Sequence, residues 1–153
     1  MTTWLFFFIL FVIGQRLTEL IIAKRNEKWM KSRGAIEVGR DHYKWFIILH
    51  VFFFIVMIGE VLWWRREAFE LNILLFSLFI MTQVLRVWCI TTLGTFWNTK
   101  VIVLPGVALI KQGPYRFMKH PNYLIVGLEF FLIPLIVGAP FTAIIFPLLH
   151  LLL

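Results

Sequence analysis

The chain has 153 residues, of which 61% are apolar and only 15% charged, with a mean hydropathy of +0.87. This excludes an ordinary soluble domain, and the length allows one bundle of about five membrane spans of roughly 20 residues each, with little left for a separate soluble unit. The net charge of +7 is carried beside apolar spans and on no soluble basic module, which points to membrane lipid headgroups as partners and argues against nucleic acid.

The first predicted span runs from Trp4 to Ala23. It has no basic leading region and no small-residue cleavage site, so it reads as a retained span. Its last third carries Gln15, Arg16, Thr18 and Glu19, and polar groups at that depth need partners. The stretch from Lys24 to Lys44 contains seven Lys or Arg, too polar to cross. It is expected to start as a helix along the membrane face, ended by Gly34 and Gly39. A second span, Trp45 to Leu62, holds His50 near its start and Glu60 near its end. Trp63, Trp64, Arg65 and Arg66 then form an aromatic and basic interface anchor.

The third span, Leu71 to Leu93, places Gln83 and Arg86 one helical turn apart on one face. The single cysteine, Cys89, lies in this apolar run, which excludes an intrachain disulfide. A fourth span runs from Asn122 to Val137 with Glu129 inside it and a kink expected at Pro134. The fifth runs from Pro140 to Leu153. The fold class expected is therefore an all-α integral membrane protein, one membrane-embedded domain over residues 1–153.

Between the third and fourth spans lies the one long segment that is neither an apolar span nor a short charged connection. Thr99 to Leu104 and Val107 to Ile110 are short runs suited to extended structure, separated by the turn residues Pro105 and Gly106, so a small hairpin or flap is expected. Gly113 and Pro114 punctuate the chain again. Lys119, His120, Pro121 and Asn122 then stand at the mouth of an apolar helix, where free N–H groups and the positive dipole end suit a carboxylate or a polarised heteroatom. Tyr115, Tyr123 and His120 cluster around this mouth, the candidate site.

Four cations between Leu93 and Asn122 join the seven of the first loop, against Arg65 and Arg66 between them. With five spans this predicts an outside N-terminus, a cytoplasmic C-terminus and a cytoplasmic candidate site. Arg16, Arg86 and Glu129 each lie seven residues from that end of their spans, roughly 10 Å deep at 1.5 Å per residue, and Glu19 lies a turn shallower. Two arginines and two carboxylates from three helices thus define a polar layer beneath the mouth. It is predicted to line one cavity in which Arg16 or Arg86 holds an anionic acceptor.

The chain contains no GxGxxG, GxxxxGK[ST], HExxH or CxxC, so a Rossmann nucleotide site, a P-loop, a zincin site and a thiol redox pair have no support. His42, His50, His120 and His150 show no ligand spacing, and no metal is expected. No internal repeat is present, which weakens a transporter reading.

The run GPYRFMKHPNYL, with Gly113, Tyr115, Lys119, His120, Pro121 and Tyr123 in order, resembles the signature of the isoprenylcysteine carboxyl methyltransferase family. Thr99, Lys100, Val103, Leu104 and Pro105 upstream and His120 to Val126 at the helix resemble its small bacterial branch of alkylpyrone or polyketide O-methyltransferases. Gln15 to Leu20 adds a weaker match. The resemblance implies S-adenosylmethionine as donor, in contact with Lys100, with Val107, Ala108, Leu109 and Ile110 through backbone, and with Tyr115, His120, Pro121, Asn122 and Tyr123. It also implies a lipophilic acceptor entering between helices. In catalysis Arg16, Arg86 and Glu129 are the residues expected to act. Two features depart from the family pattern. Ile125 stands where the family usually has glycine, and the family's later arginine and paired-glutamate motif would lie beyond Leu153.

A carboxylate or acidic enol acceptor arrives anionic and needs positioning more than a strong base. An alkylpyrone-like hydroxyl or another long-chain lipid is expected in preference to a prenylated protein, and a phospholipid amine stays open. Two other classes remain at this stage: a nicotinamide-dependent membrane reductase sharing the HPxY helix mouth, and a non-catalytic membrane subunit.

Overall fold

A computed structural model of the chain describes residues 3–64, 72–107 and 110–153. Five helices form the bundle: α1 (Thr3–Lys31), α2 (Arg40–Trp64), α3 (Ile73–Leu93), α4 (Pro121–Val137) and α5 (Pro140–Leu152). Three of them, α1 to α3, are long and apolar enough to cross a membrane, and α4 and α5 are shorter apolar helices. At 1.5 Å per residue α5 reaches only about 20 Å. It folds back on α4 through Gly138, whose φ of +84° ends α4 in the left-handed region that glycine adopts freely. Pro134 lies within one continuous α4.

The central helix is α4, with Phe130, Ile133, Ile136 and Val137 all buried; Phe8 and Val12 of α1, Phe53 and Met57 of α2, Phe79 of α3 and Phe146 of α5 join them in the core. The outer helices also carry apolar side chains on their exposed faces, among them Phe7, Phe11, Ile21, Ile55 and Val84. A helix apolar on both its packed and its outward face is stable against lipid, and the chain is an integral membrane protein.

Two expectations change at the end of the bundle that carries the loops. The helix expected along the membrane face is the unbroken continuation of α1, which runs eight residues, about 12 Å, past Ala23. No glycine or proline interrupts that stretch, and two asparagines hold its length. Asn26 Nδ2 donates to the carbonyls of Gly94 and Trp97 at 3.1 and 2.7 Å, and Asn98 Nδ2 donates to the Ala23 carbonyl at 2.6 Å. Gly34, at φ +89°, ends the helix, with the Ala35 N–H reaching back to the Met30 carbonyl at 3.1 Å.

The expected hairpin within 99–110 is replaced by a pairing between loops. β1 (Ile36–Val38), unforeseen in the basic loop, pairs antiparallel with β2 (Val101–Val103), Glu37 opposite Ile102. The turn at Pro105-Gly106 forms, but Val107 joins no strand. Beyond it, buried Gly113 and Pro114 bring the chain back against α3, so β2 completes its ladder with the other loop. This sheet joins the two cation-rich loops at one end of the bundle. Arg65, Arg66, Ala108 and Leu109 lie outside the described residues.

Candidate functional site

The polar residues singled out on three helices meet. Glu129 on α4 accepts Arg86 Nη2 at 2.5 Å and Nε at 3.2 Å, accepts Gln83 Nε2 at 3.0 Å, and is paired with Arg16. Glu19 Oε2 accepts Arg86 Nη1 at 3.0 Å and Arg16 Nη1 at 3.4 Å. Gln15 and Gln83 are hydrogen-bonded to each other. Thr18 turns its hydroxyl onto the Gly14 carbonyl of its own helix and stays out of the cluster. Three of the four polar residues in the last third of the first span therefore find partners on other helices, and equal depth along separate helices became contact.

Above this layer opens a cavity of about 1330 Å³ that reaches from Arg16, Glu19 and Arg86 to the α4 mouth. Its volume exceeds the ~300–1,000 Å³ of ordinary small-molecule pockets, leaving room for two ligands side by side. One correction follows from its lining. Arg16, Arg86 and Glu19 form part of the wall, whereas Glu129, only 1% exposed, sits behind the arginines. A second concerns charge. Both arginines are already matched by carboxylates, so neither is a free cation awaiting an anion.

At the mouth, Pro121 is the buried first residue of α4, and exposed His120 occupies the cap position without its side chain capping the helix. The N–H groups of the first turn consequently lack a side-chain acceptor. Asn122 Oδ1 is buried beside them and has no partner among the described residues. Tyr115 is half-buried next to Cys89; burial, with Cys89 beside it, pushes its phenol pKa up, so it remains a neutral O–H at physiological pH. The Tyr123 ring stacks on His150 at 4.1 Å, and its hydroxyl donates to the His150 carbonyl at 2.7 Å. One face of the Tyr123 ring is thus already covered.

Lys100 lines the cavity, with Nζ 3.1 Å from both Glu27 oxygens and 5.4 Å from the centre of the Tyr43 ring. The Tyr43 hydroxyl lies 3.0 Å from Thr99 Oγ1. Val107 and Ile110 lie in the wall as well. Three contributors were missed in the sequence: Glu27 on the extension of α1 braces Lys100, and Tyr43 and His50 on α2 line the cavity. The Asn26 and Asn98 latches and the β1–β2 pairing together bring these elements to the site, and no local pattern signals either.

The model of the isoprenylcysteine carboxyl methyltransferase (ICMT) family matches residues 73–153, from α3 through the cavity mouth to α5. The chain belongs to that family. An uncharacterized protein, YpbQ, from Bacillus subtilis strain 168 is 43% identical over 143 residues, covering 94% of this chain and 84% of the relative. An uncharacterized protein from Haemophilus influenzae is 25% identical over 134 residues, 78% of this chain and 73% of the relative. No solved structure matches significantly. Family membership makes this ICMT-family protein a membrane methyltransferase. Arg16 and Glu19 lie before the matched range, so α1 adds half of the charged layer to the family portion.

Proposed function

We propose that the protein transfers a methyl group from S-adenosylmethionine to a lipophilic acceptor, a carboxylate or acidic hydroxyl such as an alkylpyrone-like lipid, at the cytoplasmic face of a bacterial membrane. The observation that carries this reading is the single cavity joining an uncapped helix mouth to a buried polar layer. The donor's polar groups fit the mouth. Its carboxylate suits the free N–H groups of the first α4 turn, and its ammonium or adenine amino group would give Asn122 Oδ1 the donor that atom lacks.

S-adenosylmethionine would supply an electrophilic sulfonium methyl. Tyr115, Val107, Ile110 and the 120–123 turn hold and desolvate the donor, with Lys100 fixed on Glu27 at the rim. The polar layer orients the acceptor headgroup. Holding both reactants in line accounts for much of the rate of such a transfer. Exposed Leu17 on α1 and Ile47 and Val51 on α2 line the cavity too, which supports entry of an apolar tail from the bilayer between these helices.

Thermal melts of the detergent-solubilised protein separate this reading from its rivals, because a ligand that binds the native state raises apparent stability. S-adenosylhomocysteine should raise the melting temperature and NADPH should not. The reverse result would indicate a reductase, and no response to either a non-catalytic subunit. Mass spectrometry of lipid extracts incubated with methyl-labelled donor would identify the acceptor. A cysteine introduced at Gln112 should resist impermeant reagents on intact cells; labelling there would overturn the cytoplasmic placement.

A further inference from the structure

Given methyl transfer in this cavity, its deep end constrains the chemical form of the acceptor. Arg86 donates through Nε, Nη1 and Nη2 to Glu19 and Glu129, and Arg16 is paired with the same two carboxylates. Two positive and two negative charges cancel, so the layer offers no uncompensated cation. The atoms left over are acceptors. Glu19 Oε1 is buried without a partner among the described residues, although Glu19 lines the cavity. A carboxylate oxygen in that position calls for a hydrogen-bond donor from whatever fills the space.

His50 on α2 presents the second such atom. Its Nδ1 lies 2.9 Å from the Phe46 carbonyl, which can only accept, so Nδ1 carries the hydrogen. The neutral ring therefore keeps its lone pair on Nε2. No hydrogen bond engages Nε2 among the described residues, and the ring forms part of the cavity wall, packed 5.0 Å from the centre of Phe130.

We propose that the deep end receives the acceptor as a neutral hydroxyl headgroup, that His50 takes its proton during transfer, and that a carboxylate acceptor is disfavoured there. The step balances. The acceptor O–H bond breaks and its proton passes to His50 Nε2. The oxygen's electron pair forms the bond to the methyl carbon, and the pair of the breaking carbon–sulfur bond stays on sulfur, turning the sulfonium donor into a thioether. The proton later leaves to water. An incoming carboxylate brings no donor for Glu19 Oε1 or His50 Nε2 and meets two lone pairs instead.

The test compares two long-chain acceptors with the same tail, an alkylphenol and a fatty acid, using methyl-labelled S-adenosylmethionine and purified wild type and His50→Gln. Wild type should methylate the phenol at least tenfold faster than the fatty acid and lose activity on acidification, because the base must be neutral. Arg16, Arg86 and His150 face His50 from the other helices, with Glu19 and Glu129 paired to the two arginines, so the acidic limb is assigned by its loss in His50→Gln. That variant should slow phenol methylation by about 10²-fold, the low end of what a general base contributes, while its stabilisation by S-adenosylhomocysteine is unchanged. The deficit should shrink with a nitrophenol already ionised at the assay pH.

An unchanged rate and pH profile in His50→Gln, or a wild-type preference for the fatty acid, overturns the proposal. If His50→Gln fails to fold, His50→Asn takes its place in the same measurements. Failure of S-adenosylhomocysteine to stabilise wild type, with no acceptor methylated, removes the methyltransferase reading itself and is thereby distinguished from failure of the His50 role alone.

Discussion

The mouth of the cavity and its floor are built on opposite principles. At the mouth, Lys119 and His120 are exposed, the first turn of α4 has no side-chain cap, and Asn122 keeps an unanswered oxygen. On the floor, Arg86 and Glu129 are each 1% exposed and nearly every polar atom has its partner. The mouth leaves binding capacity for a ligand at little expense to the fold. The floor has spent that capacity internally, except at Glu19 Oε1 and His50 Nε2. Substitutions on the floor should therefore act first on stability, and those at the mouth on affinity.

The largest expected effect is on the floor. Glu129→Gln or Arg86→Gln leaves a buried charge unpaired and should lower unfolding free energy by about 3–5 kcal/mol, with loss of activity. Combining the two should restore part of the stability but none of the activity, since coupled charges are not additive. Denaturant titration in a fixed detergent would measure both. Nearly neutral single variants would erase the distinction between floor and mouth.

An intermediate effect is expected where the mouth is anchored. Gly113 sits at φ +56°, and a Cβ there would come 2.6 Å from Thr92 Oγ1. Gly113→Ala should cost about 1–3 kcal/mol from backbone strain and crowding. A silent substitution would mean that the loop is not held against α3.

The two ends of the α4–α5 hairpin give a further contrast. The α5 N-terminus is capped by Glu60, which accepts the N–H groups of Phe141 and Thr142 at 3.0 and 2.9 Å, whereas α4 has no such cap. Glu60→Ala should cost about 1–2 kcal/mol as a lost cap and leave S-adenosylhomocysteine affinity unchanged. The smallest stability effect belongs to exposed His120. His120→Ala should shift stability by less than about 0.5 kcal/mol yet weaken the stabilisation by S-adenosylhomocysteine. A variant that destabilises without changing that response would show His120 to be structural.

Much of this contrast was legible in the sequence, for a physical reason. Helical rise is constant, so residue counts from a common interface place Arg16, Arg86 and Glu129 at one depth without knowledge of packing. Their mutual contacts bear that arithmetic out. Depth carries no information on rotation about the helix axis, however. Hence the sequence did not show that Glu129 lies behind the arginines, nor that Glu19 is the carboxylate in the wall. The hairpin expected at 99–110 failed for a related reason: β propensity marks a segment able to pair but not its partner, and β2 found Ile36–Val38 across the bundle end.

What the sequence determined alone was set by one-dimensional quantities. Hydropathy over windows of about 20 residues determined the membrane class, cation counts grouped the two basic loops, and the GPYRFMKHPNYL run carried the family. Tertiary structure decided the pairings. Asn26 and Asn98 latch α1 to the turn after α3, Glu60 caps α5, and two arginines divide two carboxylates so that one oxygen of the cavity-lining Glu19 is left without a partner among the described residues. The contacts between separate elements join residues 43 or more positions apart, through side chains only a few ångströms long. Such contacts depend on how the helices are rotated and packed against one another, which local periodicity does not encode.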